Sequence, residues 1–438
     1  MTVVDAPATL PALAAGHLRA AAARHAEEAE RTGRLHPEVV EAMTAAGLAR
    51  HFVPRRWGGR AGRFAELLDT VADAGTACAS AAWCAVLLAA HARLAAHLPE
   101  EGRRDLWGDS PDVRIAAAIV PPAGRLARVP GGWTLSGEWA FASGVEHADW
   151  VLLASLDHSG DGAPAYRVLA VPREQVGIRE TWDAVGLRAT GSHSVTVDGV
   201  FVPERRTFLR EALAGVADAD AAPCHRVPYQ LVAALLFAAP ALGAARGALE
   251  AWTLLVGGRR LPDGRPLTDD PTVQQTLARC AAEIEAARLL LETAAARADG
   301  AAEAPAAARA DGPAAGLSVA AADGVTAGLS AARADGPASS PAAARADGLA
   351  SSPAARADRS ASGPAVAVAL NQRDAALAVD LLTGAVERLM RTGGARGLVA
   401  GGGLERAWRD IHAIAAHAAL QPAPAAAAYA ATVFPPGV

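Results

Sequence analysis

The chain has 438 residues and a formal net charge of −5 at pH 7, from 41 basic and 46 acidic residues. This balance offers no basic surface of the kind that binds nucleic acid or an anionic membrane, so neither is expected as a partner. Hydrophobic residues make up 52% of the chain and aromatic residues only 4%, because alanine dominates the apolar fraction and favours helix.

The first part of the chain, residues 1–110, is predicted to be a helical domain. The segment RLHPEVVEAMTAAGL has Pro37 in a first helical turn, apolar residues at helical spacing, and a glycine at its end. The segment from Phe64 to Leu98 is typical of two long, largely buried helices. A loop precedes this pair, since HFVPRRWGGR contains a proline and two glycines.

The N-terminus and the apolar runs bear on the location of the protein, and the cysteines bear on metal binding. The N-terminus has an acidic residue early, at Asp5, and no basic stretch before an apolar core, and no apolar run in the chain reaches the roughly 20 residues that span a bilayer. We therefore expect a cytoplasmic protein. The cysteines form no CxxC pair and no metal-ligand spacing with histidine, so they are expected to be buried thiols and no metal site is predicted (Cys78, Cys84, Cys224 and Cys280).

Residues 111–212 have a different sequence pattern, which consists of short runs of β-branched and aromatic residues. Turn sequences such as PPAG, PGG, SGDG and VDG separate these runs. The pattern predicts a compact β domain, either a small barrel or two packed sheets.

Residues 228–438 return to helix. Four long amphipathic segments follow one another, which favours a helical bundle. The word ARADG begins at Ala296, Ala308, Ala332 and Ala344 with a period of twelve residues, and every copy contains glycine. We expect no helix through these copies and predict a disordered insertion at 300–363 without a catalytic role, with a proline- and alanine-rich docking segment as the alternative.

Several words along the chain resemble the acyl-CoA dehydrogenase superfamily. They are VPRRWGG, GGWTLSGEWAFASGVEHADWVLLAS, WDAVGLRATGSHSVTVDGVFVP and LERAWRDIHAIAAH, and they occur in order. The resemblance implies a mainly α fold with a central β domain: N-terminal helices, a β-barrel-like middle domain and a C-terminal four-helix bundle. It also implies a homotetramer.

Within that superfamily the chain resembles the two-component flavin-dependent monooxygenases. Trp139 to Gly144 has their W-x-F-x-S-G form. After Arg409-Asp410, many dehydrogenases have Tyr-Glu-Gly, whose glutamate is the catalytic base, whereas this chain has His417-Ala418-Ala419. An alanine cannot remove a proton, so dehydrogenation is disfavoured.

The resemblance implies an oxygenase that takes reduced flavin (FMN, or FAD) from a separate NAD(P)H-flavin reductase and reacts it with O2. The product would be a hydroxylated phenolic, aromatic or polyketide-like small molecule, formed through a C4a-hydroperoxyflavin. Two alternatives stay open: oxidation of nitrogen or sulfur on the same scaffold, and an FAD-containing acyl-CoA dehydrogenase. No GxGxxG lies between a strand and a helix, so a nicotinamide site in this chain is not expected.

The resemblance also selects the candidate site residues. It assigns His417 and His91 to the substrate side, where a histidine suits proton exchange near neutral pH. It assigns Ser143 to the flavin ring or the substrate oxygen, and a basic residue, Arg259 or Arg260, to a neighbouring subunit's flavin. From the residues themselves, Trp139 and Phe141 alternate along one strand and so are expected to share a face that meets either the flavin or the core.

A second stretch of the sequence offers further hydroxyl groups. Thr190 and Ser192 lie in GLRATGSHSV, where Gly191 allows a ligand to approach the backbone closely. These hydroxyls are candidates for contact with the edge of the flavin ring or with the phosphate.

Overall fold

The computed structural model describes residues 12–160, 162–215, 222–303 and 363–434. All but the ends of the insertion predicted at 300–363 lies outside the described residues. The described chain runs from helices through a block of strands and back to helices, so the mainly α fold with a central β domain is confirmed. The helices before the strands are α1 (Ala12–Thr32), α2 (Pro37–Ala45), α3 (Phe64–Ala77), α4 (Ala79–Ala95) and α5 (Glu100–Trp107).

The middle of the chain forms two four-stranded sheets, with strand orders β1-β4-β5-β8 and β2-β3-β7-β6. Apolar side chains from the two sheets, including Trp133 on one and Val151 on the other, meet in a shared interior. The β1–β4 pair is parallel and the other pairs are antiparallel. The strands are β1 (Ile115–Ala118), β2 (Arg125–Val129), β3 (Gly132–Ala142), β4 (Trp150–Asp157), β5 (Ala165–Pro172), β6 (Gly177–Arg179), β7 (His193–Pro203) and β8 (Thr207–Leu209).

The C-terminal helices pack around one long apolar helix, α6. Helices α7, α8 and α9 lie against α6, α8 also packs against both α7 and α9, and α10 packs on α8. The last segment expected as a bundle helix ends early, because the chain turns after Ala415 and α10 follows as a separate helix. The helices are α6 (Tyr229–Gly257), α7 (Pro271–Glu303), α8 (Pro364–Gly393), α9 (Gly403–Ala415) and α10 (Pro422–Val433).

The N-terminal helices and the bundle share a single core. Helix α3 approaches α6 so closely that a Cβ on Gly243 would lie 2.4 Å from the Ala72 carbonyl oxygen and 2.6 Å from the Gly75 Cα. Only glycine permits this contact between backbones. By length and composition α6 could cross a membrane, yet 78% of its most apolar window is buried inside the protein, as in the central helix of a bundle.

The first copy of the repeat differs from the expectation that no helix runs through it. Helix α7 continues through Ala296–Gly300 and ends at Glu303. The reason is tertiary: Asp299 is 4% exposed and accepts hydrogen bonds from the Phe64 and Ala65 N–H groups at the start of α3. This contact and the burial of Ala298 and Ala302 outweigh the roughly 1 kcal/mol that glycine costs in a helix.

Candidate functional site

Ser143 lies where β3 ends and the chain turns away from the sheet. A β-bulge separates Trp139 from Ala142 in the pairing with β7. Within the bulge Phe141 has φ +67°, which a non-glycine residue seldom adopts. Gly144 follows with φ +69° and donates its N–H to the Thr190 carbonyl oxygen at 2.8 Å, which fixes the turn against the loop before β7.

Simple alternation predicts that Trp139 and Phe141 share one face of the strand. Because of the bulge, they do not. Trp139 is 2% exposed in the interior between the sheets, and its Nε1 donates to the Ala154 carbonyl oxygen at 2.7 Å. Trp139 therefore packs in the core, which is one of the two positions expected for it, and its contact with the cofactor stays a prediction. Phe141 is 65% exposed, with its ring edge-on to Trp182 at 6.2 Å between centroids.

Three hydroxyl groups form a continuous chain of hydrogen bonds beside this turn. Ser143 Oγ lies 2.7 Å from Ser192 Oγ, which lies 2.7 Å from Thr190 Oγ1. Thr190 Oγ1 donates to the Leu187 carbonyl oxygen at 2.8 Å. Thr190 and Ser192 are buried and Ser143 is half-buried. The structure thus brings together three predicted residues from two separate stretches of the sequence.

The loop that carries Leu187 and Thr190 is held from the bundle by Asp410 on α9. The Leu187 N–H donates to Asp410 Oδ1 at 2.6 Å, and Leu187 has φ +52°. The backbones touch next to this bond, since a Cβ on Gly186 would lie 2.3 Å from the Arg409 carbonyl oxygen. Burial raises the pKa of Asp410 to about 6. Asp410 therefore joins the bundle to the hydroxyl chain.

His417 lies in the turn after α9 and not on a helix face. It caps the short 3-10 turn Ala418–Leu420, and its Nδ1 accepts the Ala419 N–H at 3.2 Å. Burial lowers the pKa of His417 to about 4, so the ring is neutral at pH 7. Because Nδ1 is an acceptor, the neutral ring carries its proton on Nε2.

Two aromatic residues that the sequence analysis did not select surround His417. The Phe237 ring lies 3.8 Å from the imidazole between centroids, and the Trp83 ring lies 5.6 Å from it, edge to face. Trp83 Nε1 also donates to Ser143 Oγ at 3.2 Å. Trp83 therefore contacts both predicted catalytic residues. The only signal in the sequence is an isolated aromatic residue in each of two alanine-rich helices.

His412 has separate partners from His417. Its Nε2 lies 2.9 Å from Glu387 Oε1 on α8, and its ring packs edge-on against Trp408. It joins α9 to α8, in agreement with a structural role.

His91 does not join this cluster. Its Nδ1 lies 2.8 Å from the Ile115 carbonyl oxygen, and burial lowers its pKa to about 4. It follows Trp83 by eight residues on α4, about 12 Å along the helix axis. In this chain His91 binds the start of β1, so a direct catalytic role is not supported by its position.

Arg259 lies in the loop between α6 and α7, where its Nη1 donates to the Gly393 carbonyl oxygen at 3.2 Å. Phe237, which packs on His417, lies twenty residues before the end of α6, about 30 Å along its axis. Arg259 therefore does not belong to the cluster around His417. Arg260 lies in the same loop and donates to the Gly264 carbonyl oxygen at 2.8 Å.

One group in the described parts of the chain has histidine and carboxylate atoms close enough to share an ion: His25, His36 and Glu38, within 4.8 Å of one another. The two imidazole rings are stacked at 3.7 Å with 3° between their planes. Since each nitrogen lone pair lies in its ring plane, parallel rings do not point at a common ion. His25 Nε2 instead lies 2.6 Å from Glu38 Oε2, as an ion pair or hydrogen bond between α1 and α2.

The residues around Ser143 fit a flavin ring. The half-buried hydroxyl group of Ser143 matches the polar edge of such a ring, and the exposed Phe141 beside Trp182 offers an aromatic surface for its face. A cavity of about 20 Å³ touches Ser143 from the side of α2 and α4, with room for about one water molecule.

The chain is similar to known proteins in sequence. A family model described as the acyl-CoA dehydrogenase C-terminal domain matches residues 235–339 and 320–422. The oxygenase component of the FADH2-dependent resorcinol hydroxylase of Rhizobium sp. (strain MTP-10005) is 36% identical over 294 residues, which are 64% of this chain and 71% of that protein.

Solved structures share the whole fold. The 3-HSA hydroxylase from Rhodococcus sp. RHA1 superposes with a TM-score of 0.77 at 26% identity, covering 96% of each chain. XiaF from Streptomyces sp., solved with FADH2 and glycerol, superposes with a TM-score of 0.77 at 24% identity, covering 96% of this chain and 94% of that one.

Proposed function

The chain belongs to the two-component flavin-dependent monooxygenases of the acyl-CoA dehydrogenase fold, and from this we propose that it hydroxylates a phenolic ring bound between Ser143 and His417. As an oxygenase component it uses reduced flavin and O2, and a separate reductase supplies the flavin. The proposal concerns the substrate class and the residues.

The bound flavin supplies the oxygen chemistry, and the protein supplies orientation and exclusion of water. Ser143 is proposed to bind the polar edge of the ring, with Thr190 and Ser192 orienting the Ser143 hydroxyl from behind. Phe141 is proposed to cover one face of the ring, since its side chain is exposed beside Trp182.

His417 is proposed to bind the substrate hydroxyl. With its proton on Nε2, the neutral imidazole donates a hydrogen bond to the substrate oxygen and stabilises the substrate as a phenolate, the form that activates the ring, once the phenol proton has passed to water. Removing the phenol proton through Nε2 would require the ring to give up the bond from the Ala419 N–H. Donation is therefore the role favoured by the tautomer that the Ala419 N–H contact implies.

The observation that carries the proposal is the position of Trp83. Its indole N–H binds Ser143 Oγ while its ring packs against His417, so one rigid side chain sets the spacing between the flavin side and the substrate side. Phe237 adds a second aromatic wall. An aromatic substrate stacks favourably on such walls.

A test supplies reduced FMN through a separate NADH-dependent flavin reductase in the presence of 18O2 and simple phenols such as resorcinol. We expect a hydroxylated product that carries one 18O atom and requires the reductase. Two results would overturn the proposal: peroxide alone with every phenol tried, or anaerobic bleaching of bound flavin by an acyl-CoA.

The proposed homotetramer rests on the resemblance and gives Arg259 a role. Arg259 lies about 30 Å along α6 from Phe237, and this distance from the cluster supports a contact with the flavin of another subunit. We propose that it binds the flavin of a neighbouring subunit. The mass by light scattering checks the assembly, and Arg259→Ala should weaken reduced-flavin binding without changing that mass. A cytoplasmic location stays a prediction.

A further inference from the structure

The hydroxyl chain Thr190–Ser192–Ser143 has a fixed direction. The Leu187 carbonyl oxygen at its far end can only accept: it receives the Trp182 Nε1–H at 3.0 Å and the Thr190 N–H at 3.1 Å, and Thr190 Oγ1 is the nearest of its partners, at 2.8 Å. The single hydroxyl proton of Thr190 is therefore used in this bond. If this proton pointed elsewhere, the Thr190 hydroxyl oxygen and the Leu187 carbonyl oxygen would face each other at 2.8 Å without a proton between them.

The remaining protons follow from this one. Thr190 has no second proton, so Ser192 donates to Thr190 in the 2.7 Å contact between their oxygens. Ser192 has then used its own proton, so Ser143 donates to Ser192 in the next 2.7 Å contact. The sequence of donations runs from Ser143 towards Leu187.

Ser143 is left with one free lone pair and no free proton. A hydroxyl group has one donor and two acceptor positions. Its donor goes to Ser192, and one acceptor position receives the Trp83 N–H at 3.2 Å. The part of Ser143 that is open to a ligand can therefore only accept a hydrogen bond.

We infer that this directed hydroxyl chain selects the reduced state of the flavin by presenting Ser143 as an acceptor. The inference rests on the proposed function, since it requires the flavin edge to meet Ser143. Reduction of a flavin turns ring nitrogens that accept hydrogen bonds into N–H donors. The lone pair of Ser143 can accept a hydrogen bond from an N–H group of the reduced ring. In the oxidised ring it would face the lone pair of a ring nitrogen, and no hydrogen bond could form.

Burial keeps this direction in place. Thr190 and Ser192 are 1% and 4% exposed, so solvent does not offer these hydroxyls alternative partners. Leu187 is fixed in turn by Asp410, whose carboxylate accepts its N–H at 2.6 Å. Thr190 is thus a positioning residue that acts on the flavin through two other hydroxyls.

The test measures dissociation constants for photoreduced FMN under anaerobic conditions and for oxidised FMN. Thr190→Val keeps the shape but removes the hydroxyl, so the Ser192 proton is released and Ser143 becomes free to donate. Ser192→Ala releases the Ser143 proton directly. Thr190→Ser, which keeps the hydroxyl, is the matched control, and thermal unfolding checks that each variant is folded.

We expect the wild type to prefer reduced FMN. In Thr190→Val and Ser192→Ala that preference should fall about tenfold, the factor that one hydrogen bond of about 1.4 kcal/mol produces. Part of the change should be tighter binding of oxidised FMN, which a merely loosened site would not give. Thr190→Ser should keep the wild-type ratio.

Two results separate the inference from the proposed function. If the wild type binds reduced FMN but both hydroxyl-deleting variants keep its preference, or if the wild type binds both states equally, the inference is wrong and the flavin site stands. If folded wild type binds neither state of FMN or FAD, the proposed function itself fails.

Discussion

At the residue scale, His417 differs from three other histidines that burial keeps neutral. His51, His91 and His225 each have a ring nitrogen within 3.0 Å of a backbone carbonyl oxygen and therefore donate to it. His417 instead accepts a backbone N–H through Nδ1 and packs against two aromatic rings. Its Nε2–H therefore has no fixed backbone acceptor among the described residues and is available to a ligand.

The first prediction concerns this N–H. His417→Ala should slow product formation roughly 100-fold, as loss of a hydrogen-bond donor to a developing oxyanion does, while the dissociation constant for reduced FMN changes little. His417→Gln, which offers an amide N–H, should recover part of the rate. Single-turnover product yield gives the measurement.

The matched control for His417 is His412→Ala. It removes a contact between α9 and Glu387 on α8 that does not involve the hydroxyl chain. It should leave turnover near the wild-type value. A rate for His417→Ala that equals the rate for His412→Ala would remove His417 from the mechanism.

At the element scale, the loop before β7 is held by helix α9. The Leu187 N–H is satisfied by Asp410, and no water can replace this acceptor because Asp410 is 2% exposed. Asp410→Ala should cost about 1–3 kcal/mol in the free energy of unfolding, since it leaves a buried N–H without a partner. It should also weaken reduced-flavin binding, because Leu187 orients Thr190.

Asp410→Asn is the conservative variant, since its amide oxygen can accept the same N–H. It should restore flavin affinity and most of the stability, as read by chemical denaturation and anaerobic titration. Equal losses in Asp410→Ala and Asp410→Asn would mean that the negative charge, and not the acceptor, is what the loop requires.

Helix α7 gives a second prediction at this scale. Gly300 lies inside the helix, and a Cβ at this position would meet no atom within 4 Å. Gly300→Ala should therefore raise the free energy of unfolding by about 0.5–1 kcal/mol through helix propensity. Gly243→Ala on α6 is the opposite control, because its Cβ would clash with the backbone of α3. Destabilisation by Gly300→Ala would show that the first repeat copy is not helical.

At the scale of the whole molecule, buried neutral histidines set the response to acid. Burial lowers the pKa of His51, His91, His97 and His417 to about 4 and that of His225 to about 3. The unfolded chain takes up these protons near pH 6.5, whereas the folded chain does not. Stability is therefore complete above about pH 6.5 and falls as the pH is lowered towards 4.

Each such histidine contributes a slope of up to about 1.4 kcal/mol per pH unit in this window. Urea unfolding at pH 7.5, 6 and 5 should show a decreasing free energy of unfolding. His91→Asn should reduce the slope of the unfolding free energy against pH by the contribution of about one proton. A substitution at the exposed His158 should not reduce it. A free energy that is flat from pH 7.5 to 5 would contradict the burial of these rings.

The sequence by itself determined the architecture and the reaction class. Helical and strand patterns gave the order of helices, sheets and bundle, because these periods depend on which residues lie next to each other along one element. The motifs around Ser143 and His417 gave the flavin chemistry through resemblance. Thr190 and Ser192 could also be selected from the sequence, because both lie in one short motif, GLRATGSHSV.

Only the tertiary structure decided how these residues act. The bulge that buries Trp139 and exposes Phe141 depends on pairing with β7, and the turn that takes His417 off the helix is not encoded in local periodicity. Trp83 and Phe237 gained significance through contacts between helices distant in sequence. The direction of the hydroxyl chain arises where the Leu187 carbonyl oxygen meets Thr190, and a bond between groups held by the fold cannot be read from composition or spacing.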